Sequence, residues 1–103
     1  MSIDVNQSSA VDIGKAIASK EITSREAVEK CIERINKINP SINAVVQDCF
    51  ERALSEADSL DNELAQGITR GPLHGVPMTL KDSLDTEEVI TTWATLGRQN
   101  EVP

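Results

Sequence analysis

A chain of 103 residues holds one domain at most, and its core must come from Ile, Val, Leu and Ala, since it has one Phe, one Trp and no Tyr. The formal charge of -7 argues against nonspecific binding to nucleic acid or to an anionic membrane, both of which need Lys and Arg to neutralise phosphate. No apolar stretch approaches bilayer-spanning length, and Met1 to Asn6 lack a positive region followed by an apolar one, so the chain reads as cytoplasmic. Cys31 and Cys49 are too few for a disulfide scaffold and stand in no C-x-x-C; both read as reduced packing thiols. With one histidine, neither a structural metal nor a cofactor is expected.

In chain order, Ser8 or Ser9 is placed to cap a first helix whose apolar face is Val11, Ile13, Ala16 and Ile17. Gly14 inside it costs about 1 kcal/mol relative to Ala, so this helix needs neighbours. Thr23-Ser24-Arg25-Glu26 is a capping box that opens a second helix. Val28, Cys31, Ile32, Ile35 and Ile38 fall on one of its faces, and Asn39-Pro40 is expected to stop it. Ala44 to Gln47 is short and β-branched, which suits a strand. A third helix is predicted from about Cys49 to Gln66, with Phe50, Ala53, Leu54, Ala57, Leu60 and Leu64 inward, a solvated acidic face, and Gly67 as its cap.

The stretch Gly71-Pro72-Leu73-His74-Gly75-Val76-Pro77-Met78-Thr79-Leu80-Lys81-Asp82 is the part that looks built for chemistry. Val76 to Leu80 reads as a short, mostly buried strand, with Pro77 confining it to a strand start or an edge. Its C-terminal end would deliver Lys81 where an open α/β sheet keeps its ligands. The resulting order of helix, helix, strand, helix, strand predicts an α/β fold with a right-handed crossover and an incomplete parallel two-stranded sheet. Such a sheet leaves edges and apolar faces that want partners. Beyond Asp82 the chain is polar and reads as a loop, Ile90 to Ala94 extends or packs back, and the tail from Gly97 carries no closing pattern.

A lysine after a strand is either a solvated charge or, where an apolar surround lowers its pKa, a base. Met78 and Leu80 would supply that surround and Asp82 would oppose it, so composition leaves both readings open. The segments Glu21 to Ser24, Arg34 to Pro40, Asn43 to Val46, Ala53 to Asp58 and, most specifically, Gly71 to Asp82 resemble the N-terminal part of the amidase signature family. The likeness covers about residues 10 to 97 and implies a single partial domain over residues 1–103.

That family hydrolyses carbon-nitrogen amide bonds with a serine nucleophile, a second serine on a cis peptide bond, and a lysine. The resemblance puts the lysine at Lys81, acting through the bridging serine as base and then as acid. Neither serine motif occurs in this chain; Ser55 and Ser83 stand in no matching motif, and no G-x-S-x-G elbow is present. Where the family has Asn and Gly, this chain has Ser83 and Glu88, Trp93 follows Thr91-Thr92, and Arg98 follows Gly97.

A chain that carries the lysine without its serines is expected to be inactive alone. The alternatives are a self-associating interaction module, a homodimer by default, and one part of a split amidase completed by a serine-bearing fragment. His74 is expected to serve structural hydrogen bonding rather than catalysis. Trp93 is read equally as an interface anchor or a cover for apolar surface.

Overall fold

The computed structural model describes residues 3–90, Asn100 and Val102. The readings of Thr91 to Ala94, with Trp93, and of Gly97 and Arg98 lie outside the described residues. The described chain runs through a 3₁₀ turn at Val5–Gln7 and three helices, α1 at Ala10–Ala18, α2 at Ser24–Ile42 and α3 at Phe50–Ala65. By contact the chain divides into two compact units. One comprises Met1–Val45 and Phe50–Pro77, the other Val46–Cys49 and Met78–Pro103. No helix among the described residues is long and apolar enough to cross a membrane.

The first unit contains all three helices. Ser9 caps α1 by accepting from the Asp12 amide at 3.1 Å, and α1 buries Ile13, Gly14, Ala16 and Ile17 while Val11 stays 56% exposed. The expected face is therefore present but narrower, since Val11 does not join it. The forward half of the capping box forms, with Thr23 Oγ1 accepting from the Glu26 amide at 3.0 Å. The two amides ahead of it are capped from α3: Asp61 accepts from the Ser24 amide at 2.7 Å and from the Arg25 amide at 3.1 Å. The first turn of α2 thus has its otherwise orphaned donors answered by two carboxylate oxygens and a hydroxyl.

The core gathers Val5, Ile13, Ala16, Ile17, Ile22 and Ala27, with Ile3, Cys31, Leu64 and Val76 against it. Helix α2 buries Val28 and half-buries Cys31, Ile32, Ile35 and Ile38. The stripe read from the sequence is real, but its later half is only partly covered. On α3, Ala57 is buried and Phe50, Ala53, Leu54, Leu60 and Leu64 are half-buried. The helix closes through a Schellman arrangement, in which Gly67 donates to the Leu64 carbonyl and Ile68 to the Glu63 carbonyl. Along the α2/α3 surface Arg25 bridges Glu29 and Asp58, both at 2.7 Å. Its guanidinium is held further toward the charged form, first by the hydrogen bond to Glu29 and then by Asp58.

The α/β fold class is corrected: there are no strands, and hence no parallel two-stranded sheet, among the described residues. Both expected strands lose their ladder groups to local partners. At Val45 the Asn39 side chain takes both backbone groups, accepting from the amide at 2.8 Å and donating to the carbonyl at 2.9 Å. At Val76 the amide donates back to the Leu73 carbonyl in a turn, and the next residue, Pro77, has no amide to offer. β-branching raises the tendency to extend, yet without an adjacent strand to bond, an extended run is not a strand.

The expected stop at Asn39-Pro40 is also corrected. Helix α2 continues through Pro40 to Ile42 and ends on Asn43, whose left-handed φ of 47° lets its amide reach the Asn39 carbonyl at 2.7 Å. The residue before a proline resists the helical conformation, but the two bonds from the Asn39 side chain to Val45 hold it there. Pro40 lies within the last turn, so it interrupts little of the ladder.

Of the second unit, the described part is a run of turns. The Leu84 amide donates to the Lys81 carbonyl and the Val89 amide to the Thr86 carbonyl, while Glu88 adopts a φ of 61°.

Candidate functional site

The first part of the motif that looked built for chemistry, Gly71 to Val76, is held against the helices of the first unit. Gly71 to Val76 forms consecutive turns in which the His74 amide donates to the Gly71 carbonyl at 3.1 Å and the Val76 amide to the Leu73 carbonyl at 3.0 Å. Two glycines let these turns seat against helices. A Cβ on Gly14 of α1 would lie 2.2 Å from the Pro72 carbonyl oxygen. One on Gly75, at φ +82°, would lie 2.9 Å from Ser24 Cβ. Both contacts are closer than any β-carbon tolerates, so the helix glycine that weakens α1 by propensity is required by the loop crossing it.

Polar groups fasten the same turn. Ser24, 1% exposed, donates from Oγ to the Gly75 carbonyl at 2.6 Å in a buried bond. His74, 8% exposed, accepts at Nδ1 from the Arg70 amide at 3.0 Å, which makes Nε2 the protonated nitrogen, donating to the Leu60 carbonyl at 2.9 Å. With both ring nitrogens committed to backbone, His74 serves hydrogen bonding and has no nitrogen left for proton transfer. Arg70 then clasps Glu63 of α3 in a two-pronged pair, Nε to Oε2 at 2.9 Å and Nη2 to Oε1 at 2.6 Å. That hydrogen bonding holds the Glu63 carboxyl below the usual range and raises Arg70.

An open, largely apolar groove of about 640 Å³ lies on this unit, lined by Val11, Leu60, Pro72, Leu73 and Val76 with Arg70 and His74. Its side chains are partly bare: Val11 is 56% and Leu73 54% exposed.

Lys81 lies in the second unit. Its side chain is exposed, as are those of Met78 and Leu80 just before it. The apolar surround anticipated for its amine is therefore not formed by those two residues. Ser55 and Ser83 are exposed as well. Cys31 and Cys49 are both free thiols; Cys31 is half-buried and Cys49 exposed, so only the first packs as expected. Desolvation pushes the Cys31 thiol above its ordinary pKa. Among the described residues no three or more His, Cys, Asp or Glu converge as metal ligands.

The sequence marks Gly71 to Gly75 as a turn but does not declare what holds it. Ser24 and Asp61 were legible only as capping and surface residues, because their partners lie 51 and 37 residues away in the sequence.

The amidase family model matches residues 26–103, which includes the whole Gly71 to Asp82 stretch. The chain belongs to the amidase family. Among relatives of this amidase segment, an indoleacetamide hydrolase of Bradyrhizobium diazoefficiens is 44% identical over 81 residues, 79% of this chain and 16% of that protein. A glutamyl-tRNA(Gln) amidotransferase subunit of Prochlorococcus marinus is 37% identical, over 89% of this chain and 19% of that protein. An acylamidase of Rhodococcus erythropolis is 38% identical, over 82% and 18% respectively.

A solved structure superposes with a TM-score of 0.86 at 31% identity, covering 93% of this chain and 21% of its own. It is described as an unexpected vestigial protein complex that reveals the evolutionary origins of an s-triazine catabolic enzyme. The chain thus spans less than a fifth of the length of these three curated relatives. The family resemblance read from the sequence holds, whereas the strands and sheet expected of the fold are not present among the described residues.

Proposed function

We infer that this chain is a partial amidase domain that carries the catalytic lysine of an amide-bond hydrolase, Lys81, and that it does not hydrolyse amides alone. The observation that carries the reading is the family match over residues 26–103, which spans Lys81 and its motif. In this role Lys81 relays a proton: its amine receives the nucleophile's proton by way of a bridging serine and returns one to the departing amine. Both serines would come from sequence outside these 103 residues. An exposed lysine fits a site not yet enclosed, since the desolvation that makes an amine a base needs covering groups. Free thiols at Cys31 and Cys49 suit a reducing compartment, in keeping with a cytoplasmic protein.

A second observation favours association with another polypeptide. Val11, Ile42, Ile68 and Leu73 of the first unit are each about half exposed or more. Of these, Val11 and Leu73 line one open, largely apolar groove, and a contiguous apolar surface of this kind marks a place that partners cover. The structural neighbour, described as a complex, supports the same reading. The partner is a serine-bearing amidase fragment, or a second copy of this chain in a dimer.

Two measurements test this. Incubated with simple aliphatic and aryl amides, the isolated chain releases no ammonia above background; release that Lys81→Ala abolishes would overturn the inactivity. Analytical ultracentrifugation over a wide concentration range shows self-association or, with an amidase fragment bearing the serines, a mixed species. A monomer under both conditions overturns the association.

A further inference from the structure

The groove lined by Val11 of α1, Leu60 of α3 and the turn residues Pro72, Leu73 and Val76 is framed by elements already fixed to one another. The buried His74 ring ties the turn to α3, accepting from the Arg70 amide and donating to the Leu60 carbonyl. Gly14 lets the Pro72 carbonyl lie against α1. The walls are therefore set before anything fills the groove, which spares an occupant the cost of ordering them. Its polar groups are also spent. Both His74 nitrogens bond backbone, and the Arg70 guanidinium is paired with Glu63. What the groove offers is apolar contact, with Val11 and Leu73 both more than half exposed.

Small-molecule sites enclose about 70–90% of their ligand, which a groove with half-bare walls does not do. It suits a segment of polypeptide laid across it, as apolar grooves take the apolar face of a helix. Two observations choose whose segment. Two copies of this chain would each bring a formal charge of -7, and like charge opposes their meeting. The solved relative superposes on 93% of this chain with a TM-score of 0.86, over only 21% of its own length. Nearly the same backbone is thus kept beside the rest of a much longer chain. We propose that the groove between Val11, Leu60 and Leu73 is the docking surface for an apolar segment of the serine-bearing remainder of an amidase, in preference to a second copy of this chain. The inference rests on the reading of this chain as a partial amidase domain whose serines lie elsewhere. All the lining residues belong to the first unit.

The test titrates the full, isotopically labelled chain with overlapping peptides that tile the part of the Bradyrhizobium indoleacetamide hydrolase outside the stretch matching this chain. At least one apolar peptide should shift the Val11, Leu60 and Leu73 amide resonances in a saturable way. Leu73→Asp should weaken that peptide's binding by about ten- to a hundredfold, the loss of one buried leucine side chain. Ile42→Asp, at a residue 59% exposed but outside the groove, should leave it within about twofold. Both substitutions stand at exposed positions, and circular dichroism checks that the fold is kept.

If no peptide moves the groove resonances, the proposal is overturned, as it is by a peptide whose binding Leu73→Asp and Ile42→Asp weaken alike. Self-association of the parent chain that Leu73→Asp alone abolishes also overturns it, since a second copy would then be the occupant. Failure of the underlying reading is seen separately, in ammonia release. A chain that hydrolyses simple amides by itself, before any peptide is added, has no serine-bearing remainder to await.

Discussion

Replacing Asp61 with alanine removes the carboxylate that caps α2 from α3. Its oxygens accept from the Ser24 amide at 2.7 Å and the Arg25 amide at 3.1 Å. Loss of a side-chain cap costs about 1 kcal/mol, and loss of a negative charge at a helix N-terminus about 0.3–1 kcal/mol more. Hydrogen bonds to a charged acceptor contribute about 1.5–3 kcal/mol where burial is full, but these are part-buried, and water can reach the freed amides. The expected loss is therefore about 2 kcal/mol, roughly 8–16 °C in Tm for a domain of this size. Asp61→Asn keeps an acceptor and loses the charge, so it should fall about halfway.

Urea unfolding followed by far-UV circular dichroism gives the first readout, and amide hydrogen exchange the second. In Asp61→Ala the Ser24 and Arg25 amides should exchange faster, whereas Glu26, whose amide bonds Thr23 at 3.0 Å, keeps its protection relative to the rest of α2. A stability change below about 0.5 kcal/mol, the range of ordinary surface substitutions, would refute the capping argument. So would a larger loss in which Ser24 and Arg25 exchange as in the parent.

Gly14→Ala gains about 1 kcal/mol of helix propensity, yet its Cβ would sit 2.2 Å from the Pro72 oxygen; the turn must shift, and a net loss of about 1–3 kcal/mol is expected by thermal melting. Half-buried Cys31, with its thiol raised by desolvation, should react with a maleimide several-fold more slowly than exposed Cys49, as peptide mapping after timed quenching would show; equal rates would contradict the burial. Because Arg70 depresses the Glu63 carboxyl, this pair contributes its stabilisation above the unfolded carboxyl's pKa and loses it as pH falls through the lower folded value. Arg70→Gln should move the Glu63 titration midpoint upward when followed by carbon NMR. Lys81→Ala, at an exposed position, should leave stability within about 0.5 kcal/mol of the parent, which chemical denaturation can verify.

What the sequence disclosed, and what it hid, divides along the range of the forces involved. Thr23 capping Glu26, Ser9 capping Asp12 and Gly67 closing α3 are interactions within three or four residues, and the pattern of residue types declares them. The two expected strands fail because β-branched runs at Val45-Val46 and around Val76 state a preference for extension, whereas pairing depends on a partner the local sequence does not contain. Asn39 illustrates the same limit from the other side. As the residue before Pro40 it signals a stop, but its side chain bonds both backbone groups of Val45 and keeps the helix going. For the candidate site, the motif Gly71 to Asp82 could be found by eye, while the helix glycine and the serine that seat it could not. Gly14 reads as a propensity defect until Pro72 is seen beside it.

The motif itself separates into two physical kinds of residue. Gly71 to Val76 is occupied with being held: its glycines admit close approach, His74 spends both nitrogens on backbone, and Gly75 offers its carbonyl to a buried serine. Met78, Leu80 and Lys81 are exposed, which is far from the dry, apolar surround in which a lysine becomes a base. The contacts are thus invested in the turn while Lys81 is left uncovered. On the proposed reading of Lys81, groups from outside these residues would have to cover it as well as supply the serines. If a serine-bearing amidase fragment covers Lys81, its amine, exposed in this chain, should be acylated more slowly by a water-soluble amine-reactive ester in the complex than in the free chain, as peptide mapping would show. An unchanged rate in a formed complex would mean that the lysine stays solvated, and the covering of Lys81 would then fail even where association succeeds.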